Sequence, residues 1–186
     1  MDTLKQLEYK YCKVYRGYFE DLASLLFCME YHQSHGVNRR KNQAGIEADP
    51  IDVDGERIAF QAKYYDESTS LNSRKDDLKK SVEEAARENV TKLIIYTNKE
   101  LTQSSTKEKP AFEQEIDDLA RDNNMIVEWQ TGSSINTTLE MPEYEYIRKI
   151  YFGSENNKDG FVAFYQYAVK KVTAHEKDCI YGDIPL

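Results

Sequence analysis

Two carboxylates and a glutamine–lysine pair flank a short turn signal in the first third of the chain. Glu47 and Asp49 precede the signal, and Gln61 and Lys63 follow it. Side chains two residues apart on a strand share a face, so each pair would present its polar groups together. Carboxylate and amide oxygens are ligands that suit Mg²⁺ or Mn²⁺. Such a cation polarises a phosphate oxygen while a lysine positions water or stabilises negative charge, so the pattern predicts phosphodiester hydrolysis.

A predicted β-hairpin must bring these groups together. Asp54-Gly55 is a strong two-residue turn signal between two β-compatible runs. Residues 45–53 predict an extended segment that Pro50 interrupts, and residues 57–64 predict a return strand with regular alternation.

The register of this hairpin decides whether the site can form. A strict two-residue turn pairs position 47 with position 62, which places Glu47 on the wrong face. A three-residue loop, or a bulge near Pro50, would instead bring Glu47 opposite Lys63 and Asp49 opposite Gln61. The hypothesis requires that irregularity, and finding Glu47 and Lys63 on opposite faces would exclude it.

The remaining apolar patterns predict the elements around the hairpin. A helix is expected before it, and helices alternate with strands after it, which indicates a mixed α/β sheet flanked by helices. Ser73 with Asp76 resembles a capping box at the start of the second helix, and the apolar run 93–96 predicts a strand buried on both faces. The expected order is helix 8–31, the hairpin, helix 73–89, strand 93–96, helix 112–120 and strand 125–129.

The character of the chain changes near residue 130. We expect a core domain over 1–130 and a C-terminal helical extension over 131–186 that packs on the core or links to a partner. Within the extension, 131–138 is expected to be a polar linker, followed by helices over 142–152 and 161–175.

Composition and charge limit the class of protein. The 186 residues carry a net charge of −8, which argues against a role in coating nucleic acid by bulk electrostatics alone. A metal-dependent nuclease remains compatible, because bound cations reverse the local field of clustered carboxylates. The chain has no apolar run long enough to span a membrane, no apolar leader and only three scattered cysteines, so a cytoplasmic location is expected.

The motif Glu47/Asp49…Gln61-Ala62-Lys63 resembles the PD-(D/E)xK nuclease superfamily, in the variant where Gln replaces the second carboxylate. That variant is typical of Mrr-like restriction endonuclease domains and of N-terminal nuclease domains of bacterial antiphage STAND NTPases. Phe19-Glu20, with the leucines that follow, is similar to the first helix of Mrr-like domains. The Pro-Asp pair of the family name appears reversed as Asp49-Pro50, which leaves the principal metal ligand open between Glu47 and Asp49.

The resemblance, over roughly residues 15–130, implies a restriction-endonuclease-like fold and a Mg²⁺- or Mn²⁺-dependent DNA endonuclease. Glu47, Asp49 and Gln61 would hold the metal, Lys63 would position the attacking water, and Glu20 would orient a water molecule. Double-stranded DNA is the expected substrate, and an antiphage effector that self-associates through a larger parent protein is the expected context.

Other groups near the motif could contact a nucleic acid. Basic residues would grip phosphates and an aromatic ring would contact a base or sugar, although charge runs are usually only solvated. The candidates are Arg39, Arg40, Lys41, Arg74, Lys75 and Tyr64.

Alternatives of other classes remain open. One is an inactive nuclease-derived module that binds nucleic acid or protein. In that module Glu47 and Asp49 would only be strand-edge charges that prevent aggregation. Another is an interaction module built around the aromatic C-terminal helices. A surface charge is the ordinary interpretation of Glu20.

Overall fold

A computed structural model of the chain describes residues 4–38, 46–102 and 109–153. The chain divides into two compact units, one within residues 2–135 and the other from residue 136 onward. No helix in these described ranges is long and apolar enough to cross a membrane.

The larger unit contains a mixed β-sheet, as the sequence predicts. Its described residues form four strands in the spatial order β1-β2-β3-β4, with β1 antiparallel to β2 and the other pairs parallel. The strands are β1 (Ile51–Val53), β2 (Glu56–Lys63), β3 (Lys92–Thr97) and β4 (Ile126–Gln130). The predicted mixed α/β class is therefore confirmed.

The β1–β2 connection is the two-residue turn that the sequence predicts. Asp54 and Gly55 have φ angles of +50° and +86°. Two successive positive φ values are the signature of the type I′ turn, which suits Asp-Gly because both residues tolerate the left-handed region. The alternative of a three-residue loop is wrong.

One face of the sheet is covered by the N-terminal helices α1 (Lys5–Tyr11) and α2 (Tyr15–Glu30), which a 3₁₀ turn separates. The predicted single helix over 8–31 is therefore interrupted. The Phe27 ring packs 4.7 Å from the Phe60 ring of β2. Not every apolar residue of this region faces the sheet, because Val14, Tyr18 and Leu25 are exposed.

The other face of the sheet is covered by α3 (Lys75–Arg87) and α4 (Ala111–Asp122). The predicted capping box at Ser73 does not form, because Arg74 occupies the N-cap position without a side-chain cap and Ser73 Oγ donates to Ser70 O. The predicted burial of strand 93–96 on both faces is confirmed. The main core joins these elements through Ala59, Leu78, Val82, Leu93, Ile95 and Ile116.

The described part of the smaller unit is helical. Helix α5 (Gly132–Glu140) begins in the last residues of the larger unit and continues past residue 136; a polar linker was expected over this segment, so that prediction was wrong. A 3₁₀ turn, Pro142–Tyr144, leads into α6 (Glu145–Phe152), which confirms the helix expected over 142–152. The helix expected over 161–175 lies outside the described residues.

Candidate metal centre

Gln61 lies near the C-terminal end of β2, on the face that α3 covers. Only 5% of this residue is exposed, so this polar side chain does not face solvent. Lys63 lies two residues further along the same strand and therefore shares that face. Burying a primary amide without partners is unfavourable, so the contacts of Gln61 are informative.

The Glu47 carboxylate meets the Gln61 side chain. Gln61 Nε2 donates a hydrogen bond to Glu47 Oε1, and the Ala62 backbone N–H lies 3.4 Å from the same oxygen. The Gln61 carbonyl oxygen, Oε1, is buried and has no hydrogen-bond partner among the described residues. An acidic oxygen and an unsatisfied amide oxygen therefore belong to neighbouring side chains on the Lys63 face.

An irregular segment before β1 makes the contact between Glu47 and Gln61 possible. Continuation of the Ile51–Ile58 register would pair Glu47 with Ala62, yet the Glu47 N–H donates to Phe60 O at 2.9 Å. The chain bends at positions 47 and 48, and this turns the Glu47 carboxylate toward Gln61. The required irregularity before β1 is present, but it brings Glu47 opposite Phe60 and not opposite Lys63 as predicted.

The donor chemistry of the site fits a hard divalent cation. The Glu47 carboxylate and the buried Gln61 amide oxygen are both ligands that Mg²⁺ accepts. No cluster of three or more His, Cys, Asp or Glu side chains suited to a metal occurs among the described residues. Mg²⁺ does not require one, because it commonly keeps several waters and uses one or two carboxylates together with substrate phosphates.

Lys63 has an acidic neighbour that no motif in the sequence predicts. Its Nζ lies 3.5 Å from Oδ2 of Asp77, in the first turn of α3. The Tyr65 hydroxyl donates to the same carboxylate oxygen at 3.3 Å. Burial, reinforced by the Asp77 carboxylate, raises the pKa of Tyr65, so the phenol stays protonated and remains a donor. Asp77 follows Lys63 by fourteen residues across a loop, and neither motif nor periodicity connects the two.

Two further predicted site residues have less defined roles. Asp49 is half-buried, and its backbone N–H donates to Asn38 O at 2.8 Å. Glu20 is half-buried on α2, beside the buried Phe19. Their metal-binding and water-orienting roles stay predictions.

Of the basic residues predicted to contact nucleic acid, the structure describes two, and both lie close to other side chains. Arg39, Arg40 and Lys41 fall outside the described residues. Arg74 lies over the Tyr65 ring, 6.0 Å from its centroid, and Lys75 Nζ lies 3.0 Å from Glu115 Oε1.

Tyr64 does not offer its ring to a base, which corrects the sequence-based interpretation. It is 8% exposed, and the rings of Tyr15 and Phe19 pack edge-on against it. Its hydroxyl donates to the Glu8 carboxylate at 3.0 Å. Tyr64 therefore anchors the N-terminal helices to the sheet.

No protein-family model matches the chain, and no curated protein matches it significantly.

Proposed function

We propose that this chain is a metal-dependent DNA endonuclease with a restriction-endonuclease-like core. The observation that carries the proposal is the contact between Glu47 and Gln61 on the face that Lys63 shares. The buried Gln61 amide oxygen there has no hydrogen-bond partner among the described residues. A buried amide oxygen without a donor is unfavourable in an ordinary core, whereas a cation would satisfy it.

Each residue of the centre has a definite task in this proposal. Glu47 and Gln61 hold Mg²⁺ or Mn²⁺ through oxygen atoms, with Asp49 as a second carboxylate. When bound, the metal polarises a phosphate oxygen and activates water. Lys63 places a positive charge beside the phosphate, where it stabilises the negative charge that develops during attack. Glu20 is the proposed group that orients a water molecule.

Double-stranded DNA is the proposed substrate, and the charge distribution suggests weak binding by a single copy. The chain has a net charge of −8, and Lys75 and Lys79 both pair with the Glu115 carboxylate. Several copies held close together would offer more phosphate contacts and therefore bind DNA more tightly. We propose that the chain acts as an antiphage effector whose assembly, through a larger parent protein, controls cleavage.

Plasmid cleavage with Mg²⁺, with Mn²⁺ and with EDTA tests the proposal. We expect cleavage with either metal, none with EDTA, and at least a hundredfold loss in Lys63→Ala, in line with loss of a charge-stabilising group. Lys80→Ala is the matched control, because Lys80 is an exposed lysine on α3. Cleavage that persists in EDTA and in Lys63→Ala would refute the mechanism.

An inactive binding module is the second candidate, and one observation favours it. The Gln61 amide presents its nitrogen, and not its oxygen, to the Glu47 carboxylate, so this contact needs no cation. A degenerate site of this kind would bind DNA without cutting it. Retention of DNA in a filter-binding assay, with no cleavage at any metal concentration or protein concentration, would select this alternative.

A further inference from the structure

Asp77 lies at the junction between α3 and the end of β2, where it contacts Lys63, the last residue of β2, and Tyr65, which follows the strand. Its Oδ2 atom is 3.5 Å from Lys63 Nζ and accepts the Tyr65 hydroxyl hydrogen bond at 3.3 Å. About half of the Asp77 side chain is exposed (47%), whereas only 21% of the Lys63 side chain is. The carboxylate therefore engages the ammonium group of a mostly enclosed lysine.

Tyr65 fixes the position of Asp77. Tyr65 is 8% exposed, and its backbone N–H and C=O both bond to the Asn98 side chain at 2.8 Å. Asp77 also lies in the first turn of α3, where the helix dipole stabilises a negative charge. The Asp77 carboxylate therefore accepts a hydrogen bond from a buried tyrosine, and the N-terminal end of α3 stabilises its negative charge.

We propose that Asp77 is the positioning residue of the centre and that it holds the Lys63 ammonium on the Gln61 face of β2. A lysine has a flexible four-carbon stem, and an unrestrained stem would sample many rotamers. Restricting it places the charge before substrate arrives, and misplacement by about an ångström costs up to about a hundredfold in rate. This inference rests on the proposed nuclease function.

Asp77→Asn tests the inference, with Asp76→Asn as the matched control. Both substitutions remove one negative charge from the first turn of α3, and Asp76 is likewise exposed. We expect Asp77→Asn to lower kcat by about tenfold, with KM for DNA changed less than twofold. Asp77→Glu, which restores the charge, should recover part of the loss, and Asp76→Asn should resemble the wild type.

A readout that does not depend on cleavage accompanies the kinetics. The two Hε protons of Lys63 should give separate NMR signals in the wild-type protein, because a held side chain keeps them in different environments. In Asp77→Asn these signals should merge, while they stay separate in Asp76→Asn. Unchanged Lys63 signals in Asp77→Asn would overturn the inference.

The outcomes separate the inference from the proposed function. Full activity in Lys63→Ala refutes the nuclease mechanism, while the NMR comparison still decides whether Asp77 holds the lysine. Loss of activity in Lys63→Ala together with wild-type kcat in Asp77→Asn refutes the inference alone. Thermal unfolding of each variant identifies any loss that comes from unfolding.

Discussion

Replacing Gln61 with glutamate distinguishes a metal centre from an ordinary buried amide. The wild-type amide is 5% exposed and donates to the Glu47 carboxylate. Gln61→Glu keeps the shape of the side chain, removes this donor and places a second carboxylate beside Glu47. Without a cation the change should destabilise the fold, and with a cation it should be tolerated.

The size of the effect follows from two limits. Two unit charges at a hydrogen-bonding distance of about 3 Å repel by roughly 5 to 6 kcal/mol at an effective dielectric constant of about 20. Protonating a glutamic acid with an ordinary pKa of about 4.3 costs about 3.7 kcal/mol at pH 7, so protonation is the cheaper response. We therefore expect Gln61→Glu to lower the free energy of unfolding by up to about 4 kcal/mol at pH 7 in EDTA.

The pH dependence has a definite sign. The introduced carboxyl should have its folded-state pKa raised above the unfolded value, because burial and Glu47 both disfavour its ionisation. The folded state then binds more protons than the unfolded state, so stability falls as pH rises from about 4.3 through the raised pKa. The difference from wild type should be small at pH 4 and largest near neutral pH.

Urea unfolding at pH 4 and at pH 7, each with EDTA or Mg²⁺, measures these effects. At pH 7, Mg²⁺ should raise the stability of Gln61→Glu more than that of the wild type, because binding to the folded state alone stabilises it. Gln114→Glu, at an exposed position of α4, controls for the added charge. Equal stability of Gln61→Glu and wild type at pH 7 in EDTA, or no differential response to Mg²⁺, would refute the reasoning.

Three further predictions concern the framework around the site. Phe60→Ala, at a position 1% exposed, should lower the free energy of unfolding by about 3–5 kcal/mol in urea titrations, and a loss below 1 kcal/mol would contradict the close packing of Phe60 against Phe27. Gly55→Ala should destabilise by about 1 kcal/mol because φ is +86°. Gly17→Ala within α2 should stabilise by up to about 1 kcal/mol, because no neighbouring atom of the described residues lies within 4 Å of an added Cβ; the opposite order of melting temperatures would refute this. Glu30 is exposed, yet partial desolvation of its carboxyl, with a smaller contribution from Glu128, raises its pKa, so stability from this group falls as pH rises through that pKa. Solvent screening keeps the effect small, so Glu30→Gln should raise the melting temperature slightly more at pH 7 than at pH 4, and an equal effect at both would contradict it.

The sheet was predictable because its signals are local. Asp54-Gly55 dictates a tight turn, and the apolar run 93–96 can only be satisfied by burial on both faces. The helix over 8–31 was less predictable, because apolar residues occur on two sides of this helical region and only one side can face the sheet. Phe19 and Phe27 are buried in the core, whereas Val14 and Tyr18 are exposed. Local spacing does not indicate which of two apolar faces meets the sheet.

The site was predictable in its members and less so in its geometry. Gln61 and Lys63 share a face by simple alternation, which the sequence reveals directly. The position of Glu47 depends on bends before β1, and these have no local signature beyond Pro50. Asp77 was missed because its contact with Lys63 depends on how α3 docks on the sheet, which is a tertiary property.

The centre lies at the end of β2, beside the irregular segment that precedes β1. Within the described residues β1 pairs with β2 alone, so it forms an edge of the sheet, while the interiors of β2 and β3 are both buried. A phosphodiester cannot reach the middle of either strand without unfolding the helices that cover it. The segment before β1 leaves regular pairing at the edge, and this lets the half-buried Glu47 meet the end of β2 close to the surface. Restoring a regular edge strand there would strengthen the sheet, but it would also turn the Glu47 carboxylate away from Gln61 and remove the proposed centre.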